Sequence, residues 1–196
     1  MEKTTKVVIN RARLSYCHLF EAHAVNANAK QKYSVSILVD KKDVKTIEAI
    51  KAAVNAAAAE GKSSKFGGKI PVNIKLPLRD GDTERDDEAY KGMYFINASS
   101  INAPSVLERL ADGSMVKVID DETVYSGCYA AVSVNFYPFN AEGNKGVACG
   151  LNGVLKIEEG PRLSGGGSAA EDFTAAGLAA DANDVDLGLG GDECPY

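Results

Sequence analysis

The chain has 196 residues, 45% of them apolar and 25% charged, and a formal net charge of −5. That balance suits one domain with its own hydrophobic core, stable without metal or disulfide support. It excludes a membrane span, since no apolar run approaches the required length, and the N-terminus lacks a signal-peptide apolar region, so the expected compartment is the cytoplasm.

Lys6 to Leu14 reads as a first strand carrying two cations, Arg11 and Arg13, on one face, and Tyr16 to Phe20 is expected to bend away from it. Tyr33 to Val39 alternates cleanly, with Tyr33, Val35, Ile37 and Val39 on one side and Ser34 and Ser36 on the other. From Lys41 to about Glu60, Val44, Ile47, Ile50, Val54 and Ala57 recur at helical spacing in an alanine-rich stretch. Asp40 or Asp43 suits the N-cap, and Gly61 suits the stop. Lys62 to Lys69 reads as a basic, flexible loop with one aromatic, Phe66. Ile70 to Leu78 reads as an edge strand, with Pro71 and Pro77 near its ends. Arg79 to Glu88 is a charged, mostly acidic hairpin or loop. Gly92 to Ser99 is a strand, Asn102 to Pro104 a turn, and Met115 to Ile119 a short strand. Tyr129 to Tyr137 and Gly146 to Ile157 form a long hairpin across a turn-rich connection.

Five or more short strands with one helix and no βαβ alternation predict a mainly β domain over residues 1–163. A small antiparallel barrel of the OB-fold type fits best. Residues 164–196 hold seven acids and no Lys or Arg. Such a Gly- and Ala-rich segment cannot bury enough apolar surface to offset its ordering entropy, which predicts a flexible acidic tail. Its acids Asp184, Asp186, Asp192 and Glu193, with Pro195 and Tyr196 at the tip, suit insertion into a basic-rimmed apolar pocket on a partner protein. Residues 1–78 carry +8, residues 79–163 carry −6 and the tail −7. A polyanion would therefore be drawn to one face of the molecule, and the tail could compete for that face.

Catalytic constellations are poor. Cys17, His18 and His23 are the only clustered soft ligands and lack a fourth partner, so no metal site is assigned. Asp80, Asp82 and Asp86 to Glu88 do not match an EF-hand loop. There is no P-loop, nucleophile elbow or triad. Cys17, Cys128, Cys149 and Cys194 lie far apart without CxxC pairing, as reduced structural thiols do. A binding protein without cofactor is expected, not an enzyme.

The binding signal is the mixture of cations and aromatics on strands. On the strand from Tyr129, Ala130, Val132, Val134 and Phe136 form an apolar face. Tyr129, Ala131, Ser133, Asn135 and Tyr137, followed by Phe139, form a polar and aromatic one. On the strand from Gly92, Phe95, Asn97 and Ser99 share a face. Aromatic faces stack bases, amides reach base edges and cations follow phosphates, which is how single-stranded nucleic acid is held. The expected stacking residues are Phe95, Tyr129, Tyr137 and Phe139. Asn97 and Asn135 would meet base edges, and Arg11, Arg13, Lys65 and Lys91 the phosphates.

Tyr125-Ser-Gly-Cys-Tyr129, Asn135-Phe-Tyr-Pro-Phe-Asn140, Lys32 to Val39 and Gly92 to Ser100 resemble the bacteriophage OB-fold single-stranded DNA-binding proteins. The resemblance spans nearly all of residues 6–163. The tip Asp192 to Tyr196 is similar in plan to the acidic tips of bacterial single-stranded DNA-binding proteins, with Tyr in place of Phe. The resemblance implies sequence-independent binding of single-stranded DNA in phage replication or recombination, inside the bacterial host. Replication or recombination proteins would dock on the tail, and homo-oligomerisation is left open. The alternative is a virion structural or assembly protein that uses the same barrel to bind protein.

Overall fold

The computed structural model describes residues 4–24, 29–141 and 143–163. Alternating apolar residues build its strands. Strand β1 is Lys6–His23, β2 Lys32–Asp40, β3 Leu78–Asp80, β4 Met93–Ser100, β5 Ser105–Arg109, β6 Met115–Lys117, β7 Tyr129–Ala141 and β8 Asn144–Glu158. Helix α1 covers Val44–Ser64, α2 is the single turn Gly81–Glu84, and a 3-10 turn spans Glu88–Tyr90.

Strand β1 pairs antiparallel with both β2 and β7, β2 with β4, and β7 with β8. A short parallel contact, Ala98 with Cys149 and Ser99 with Gly150, joins β4 to β8. That contact closes a five-stranded barrel in the order β1-β2-β4-β8-β7, the OB-fold arrangement. The small β3 extends the sheet beyond β4, and the β5–β6 hairpin is added to β8 through a parallel pairing.

The inward residues are the apolar halves of the alternating strands. Ile9 and Leu14 of β1, Val35 and Ile37 of β2, Ile96 of β4, and Val132 and Val134 of β7 are all buried. Each such side chain contributes about 1.5–3 kcal/mol by leaving water. Helix α1 caps this core with Ile47, Ile50, Ala53, Val54, Ala57 and Ala58. Asp43 is its N-cap, its carboxylate accepting from the Thr46 N–H at 3.1 Å.

Several element boundaries differ from the sequence expectation. Strand β1 does not stop at Leu14; register shifts after Ser15 and His18 let it bend and continue to His23. Gly61 does not end the helix. A Cβ there would lie 2.5 Å from Phe66 Cε2 and 2.6 Å from Pro138 Cβ, so Gly61 serves close approach inside the last turns. Phe66 is accordingly buried rather than carried on an open loop. Residues 70–77 form no strand apart from a bridge between Lys75 and Gly146, because Pro71 and Pro77 remove the donors that a ladder needs. Strand β5 has no strong alternation and was not expected. The tail residues, Cys194 among them, lie outside the described residues.

Candidate nucleic-acid interface

Strand register places six side chains in one row on the outer side of the barrel. Arg79 of β3 lies opposite Phe95 of β4, which faces Leu38 of β2, then Arg13 of β1, Tyr129 of β7 and Glu158 of β8. Their sequence neighbours Ile96, Ile37, Leu14 and Ala130 point into the core, so the row is outward by alternation.

At the β1–β7 end of the row the Arg11 guanidinium carbon sits 3.9 Å from the Tyr129 ring centroid. Its Nη2 donates to Glu158 Oε2 at 3.0 Å. Arg13 is turned the other way. Its Nη2 donates to the Pro161 carbonyl at 3.0 Å and its Nε to the Gly127 carbonyl at 3.3 Å, which ties the end of the domain to the barrel. Both cations flank the half-buried Tyr129, and Arg13 is already occupied by backbone.

At the β4 end the expectation of an open aromatic is not met. Phe95 is 0% exposed. The segment from Gly81 to Tyr90 folds back over it, and the Tyr90 ring meets it edge-on at 5.2 Å and 82°. Tyr90 donates its hydroxyl to Ser36 Oγ at 3.0 Å. Lys41 pins the start of this segment, donating to Asp80 and Asp82 at 2.6 Å each. Those two hydrogen bonds, Asp80 first, push the Lys41 ammonium up to about 12. Asp82 also accepts from the Gly92 N–H at 2.8 Å. A base cannot reach Phe95 while this cover is in place. Asn97 remains exposed beside it on β4, whereas the exposed Lys91 is paired with Glu88.

Asn135 and Tyr137 lie farther along β7 from Tyr129, Tyr137 beyond the midpoint of the strand. Eight residue steps along the strand separate the two tyrosines, roughly 26 Å. Asn135 and Tyr137 line an open cleft of about 300 Å³ with Lys32, Ser99, Asn102 and Asn152. Tyr137 is 41% exposed. Gly150 makes room for Asn135, since a Cβ at 150 would meet Asn135 Oδ1 at 2.6 Å.

Beyond this cleft, Phe139 is half-buried with its ring across Gly146. Lys65 stands on the neighbouring loop, its carbonyl accepting from Asn140 Nδ2 at 3.1 Å. Lys75 bonds through its backbone to Lys145 at 3.0 Å and to Val147 at 2.9 Å. Lys145 Nζ donates to the Phe66 carbonyl at 3.5 Å. Lys65, Lys75 and Lys145 thus gather near the β7–β8 turn, and none makes a salt bridge to another described residue.

The structure therefore groups Arg11, Arg13 and Tyr129 in one patch and Asn135 and Tyr137 in a second. Phe139 and Lys65 sit near the hairpin turn, and Phe95, Asn97 and Lys91 belong to the β4 side. The sequence reading singled out none of Lys32, Lys75, Lys145, Tyr16, Arg79 and Arg85 as a contact residue. The last two were present as cations within a stretch read as mostly acidic. Cys17, His18 and His23 do not converge on a metal position: among the described residues no three metal-ligating groups cluster. His18 and His23 instead stack at 4.6 Å. Burial pushes the Cys17 and Cys149 thiols up to about 12, which keeps them protonated. No described helix is long and apolar enough to cross a membrane.

The sequence matches the family described as Enterobacter phage Enc34, ssDNA-binding protein, over residues 5–185. A p50 protein of Acyrthosiphon pisum secondary endosymbiont phage 1 is 33% identical over 180 residues, covering 89% of this chain and 95% of that protein. The fold is similar to that of the single-stranded DNA-binding protein from bacteriophage Enc34 in complex with ssDNA, with a TM-score of 0.68 and 24% identity over 82% of this chain and 90% of that one. It is similar also to gp2.5, a single-stranded DNA-binding protein encoded by bacteriophage T7, with a TM-score of 0.55 and 15% identity over 82% and 95% of the two chains. By the extent of the sequence match, on an OB barrel with the same architecture, the chain belongs to the Enc34 phage ssDNA-binding protein family.

Proposed function

We propose that this chain binds single-stranded DNA without sequence preference and protects it during phage DNA replication or recombination in the cytoplasm of the bacterial host. Family membership supports the reading. The observation that carries it is the Arg11–Tyr129 pair beside Arg13 on the outer face of the barrel. A ring stiffened by a guanidinium offers a stacking surface and a phosphate contact side by side. The second patch, Asn135 and Tyr137 with Lys32, adds an exposed ring, amides and a cation in an open cleft. Lys65 and its neighbours extend the positive surface past the hairpin turn.

The protein acts by binding and not by catalysis. The acidic segment from residue 164 onward competes with DNA phosphates for the basic surface and docks replication or recombination proteins. Titrating labelled oligo-dT and a matched duplex into the full chain tests the binding reading. Incubating labelled single strands with magnesium or manganese tests the absence of nuclease activity, with intact strands expected.

A further inference from the structure

Tyr16 breaks the pattern of its strand. Its φ is 47°, the one positive φ among the described non-glycine residues. Bulky L-residues rarely adopt this conformation, and it persists where surrounding structure or function demands it. Core packing is not the demand, because Tyr16 is 55% exposed between buried Ser15 and half-buried Cys17.

Above that ring stands Arg85, its guanidinium carbon 5.9 Å from the centroid. The same carbon lies 5.5 Å from the Tyr90 centroid and 5.3 Å from that of Phe95. Tyr90 and Phe95 are fully buried, so they form a fixed floor beneath the guanidinium. Arg11 and Arg79 are paired with Glu158 and Glu84. The Arg85 side chain has no salt bridge or hydrogen bond to another described residue. The fold thus holds an uncommitted, planar cation beside an exposed ring on a strained backbone, on the outer side of the barrel.

We propose that Tyr16 and Arg85 form a nucleotide-binding subsite, with a base stacked on the Tyr16 ring and a phosphate oxygen pair held by the Arg85 guanidinium. The subsite rests on the reading of this barrel as a single-stranded DNA-binding protein. An unpaired base exposes the π-face that Tyr16 needs, and stacking of this kind tolerates any base. The guanidinium fork matches a phosphate in a way that a lysine ammonium does not. The cover over Phe95 has a purpose on this account: it replaces one lost ring with a positioned cation.

The chain contains no tryptophan, so Tyr16→Trp installs a single fluorescent reporter. Its emission is expected to be quenched, with saturation, by oligo-dT. Tyr16→Ala is expected to weaken oligo-dT binding by roughly tenfold or more, while Tyr16→Phe stays within about twofold. Arg85→Ala is expected to weaken binding and Arg85→Lys to recover only part of it. Tyr16→Gly relieves the positive φ, so it should raise the thermal midpoint while weakening DNA binding. Wild-type affinity in Tyr16→Ala with an unquenched Tyr16→Trp, in a protein whose Tyr137→Ala variant binds less well, overturns the subsite and leaves the DNA-binding reading intact. Failure of the wild-type chain to bind oligo-dT overturns both.

Discussion

The Arg11 guanidinium is shared between the Tyr129 ring, 3.9 Å from its carbon to the centroid, and the Glu158 carboxylate at 3.0 Å. Both ionic partners are more than half exposed, so the pair adds little to stability. On the proposed DNA-binding reading, Glu158 competes with a phosphate for the Arg11 guanidinium. Glu158→Gln should tighten oligo-dT binding several-fold at low salt, and Arg11→Ala should weaken it. Fluorescence anisotropy at two ionic strengths reads both. Unchanged affinity in Glu158→Gln would show that the guanidinium is not used for phosphate.

Phe95 and Tyr137 should separate cleanly into folding and binding roles. Phe95→Ala removes a fully buried ring and is expected to cost about 3–5 kcal/mol of stability. Tyr137→Ala removes an exposed ring from an open cleft, so it should leave the urea midpoint nearly unchanged. It should lower DNA affinity by about 1–3 kcal/mol. Paired denaturation and binding curves check this division.

Gly61→Ala tests the packing beneath the basic loop. The added methyl meets the Phe66 ring and Pro138, neither of which can swing away as a flexible side chain would. A loss of about 1–3 kcal/mol is expected despite the higher helix propensity of alanine. A thermal midpoint equal to wild type would contradict the observed contact.

Stability should fall on the acid side. Asp82 is held below the usual carboxylate range by the hydrogen bond from Lys41 and then by the Gly92 N–H. Glu159 is held low by Lys156 and then by Tyr125. A carboxylate with a depressed folded pKa stabilises the protein above its unfolded pKa, and that contribution is lost as pH falls through the folded value. Thermal midpoints should therefore decline as pH drops from about 5 toward 3, and Asp82→Asn should reduce the slope. Lys41 works in the opposite sense: its contribution is present below its unfolded pKa and lost as pH rises through about 12.

Truncation after Leu163 tests the acidic segment as a tethered competitor. It removes seven carboxylates. Affinity for oligo-dT should rise at low salt, with the gain shrinking as ionic strength increases. Equal affinities at low salt would remove the competition model.

The barrel was legible because its strands alternate. Val35, Ile37 and Val39, or Ala130 through Phe136, declare an inner face that strand pairing then satisfies. The same alternation put Phe95 on the outer face, which is where it lies, but it could not reveal the cover. Burial of an outward residue depends on residues 81–90 folding back, a contact with no periodic signal. Gly61 misled for a related reason: glycine favours helix ends, yet here it admits Phe66 and Pro138 from distant parts of the chain. The Tyr16–Arg85 approach joins a bend in β1 to a loop nearly seventy residues later, so spacing in the sequence carried no trace of it.

The most direct test of the account is anisotropy of labelled oligo-dT and of a matched duplex with the full chain across a salt series. Tighter binding of the single strand is predicted, with log affinity falling against log salt by about 0.7 for each phosphate neutralised. A duplex bound as tightly as the single strand, or no salt-dependent affinity for oligo-dT, would contradict it.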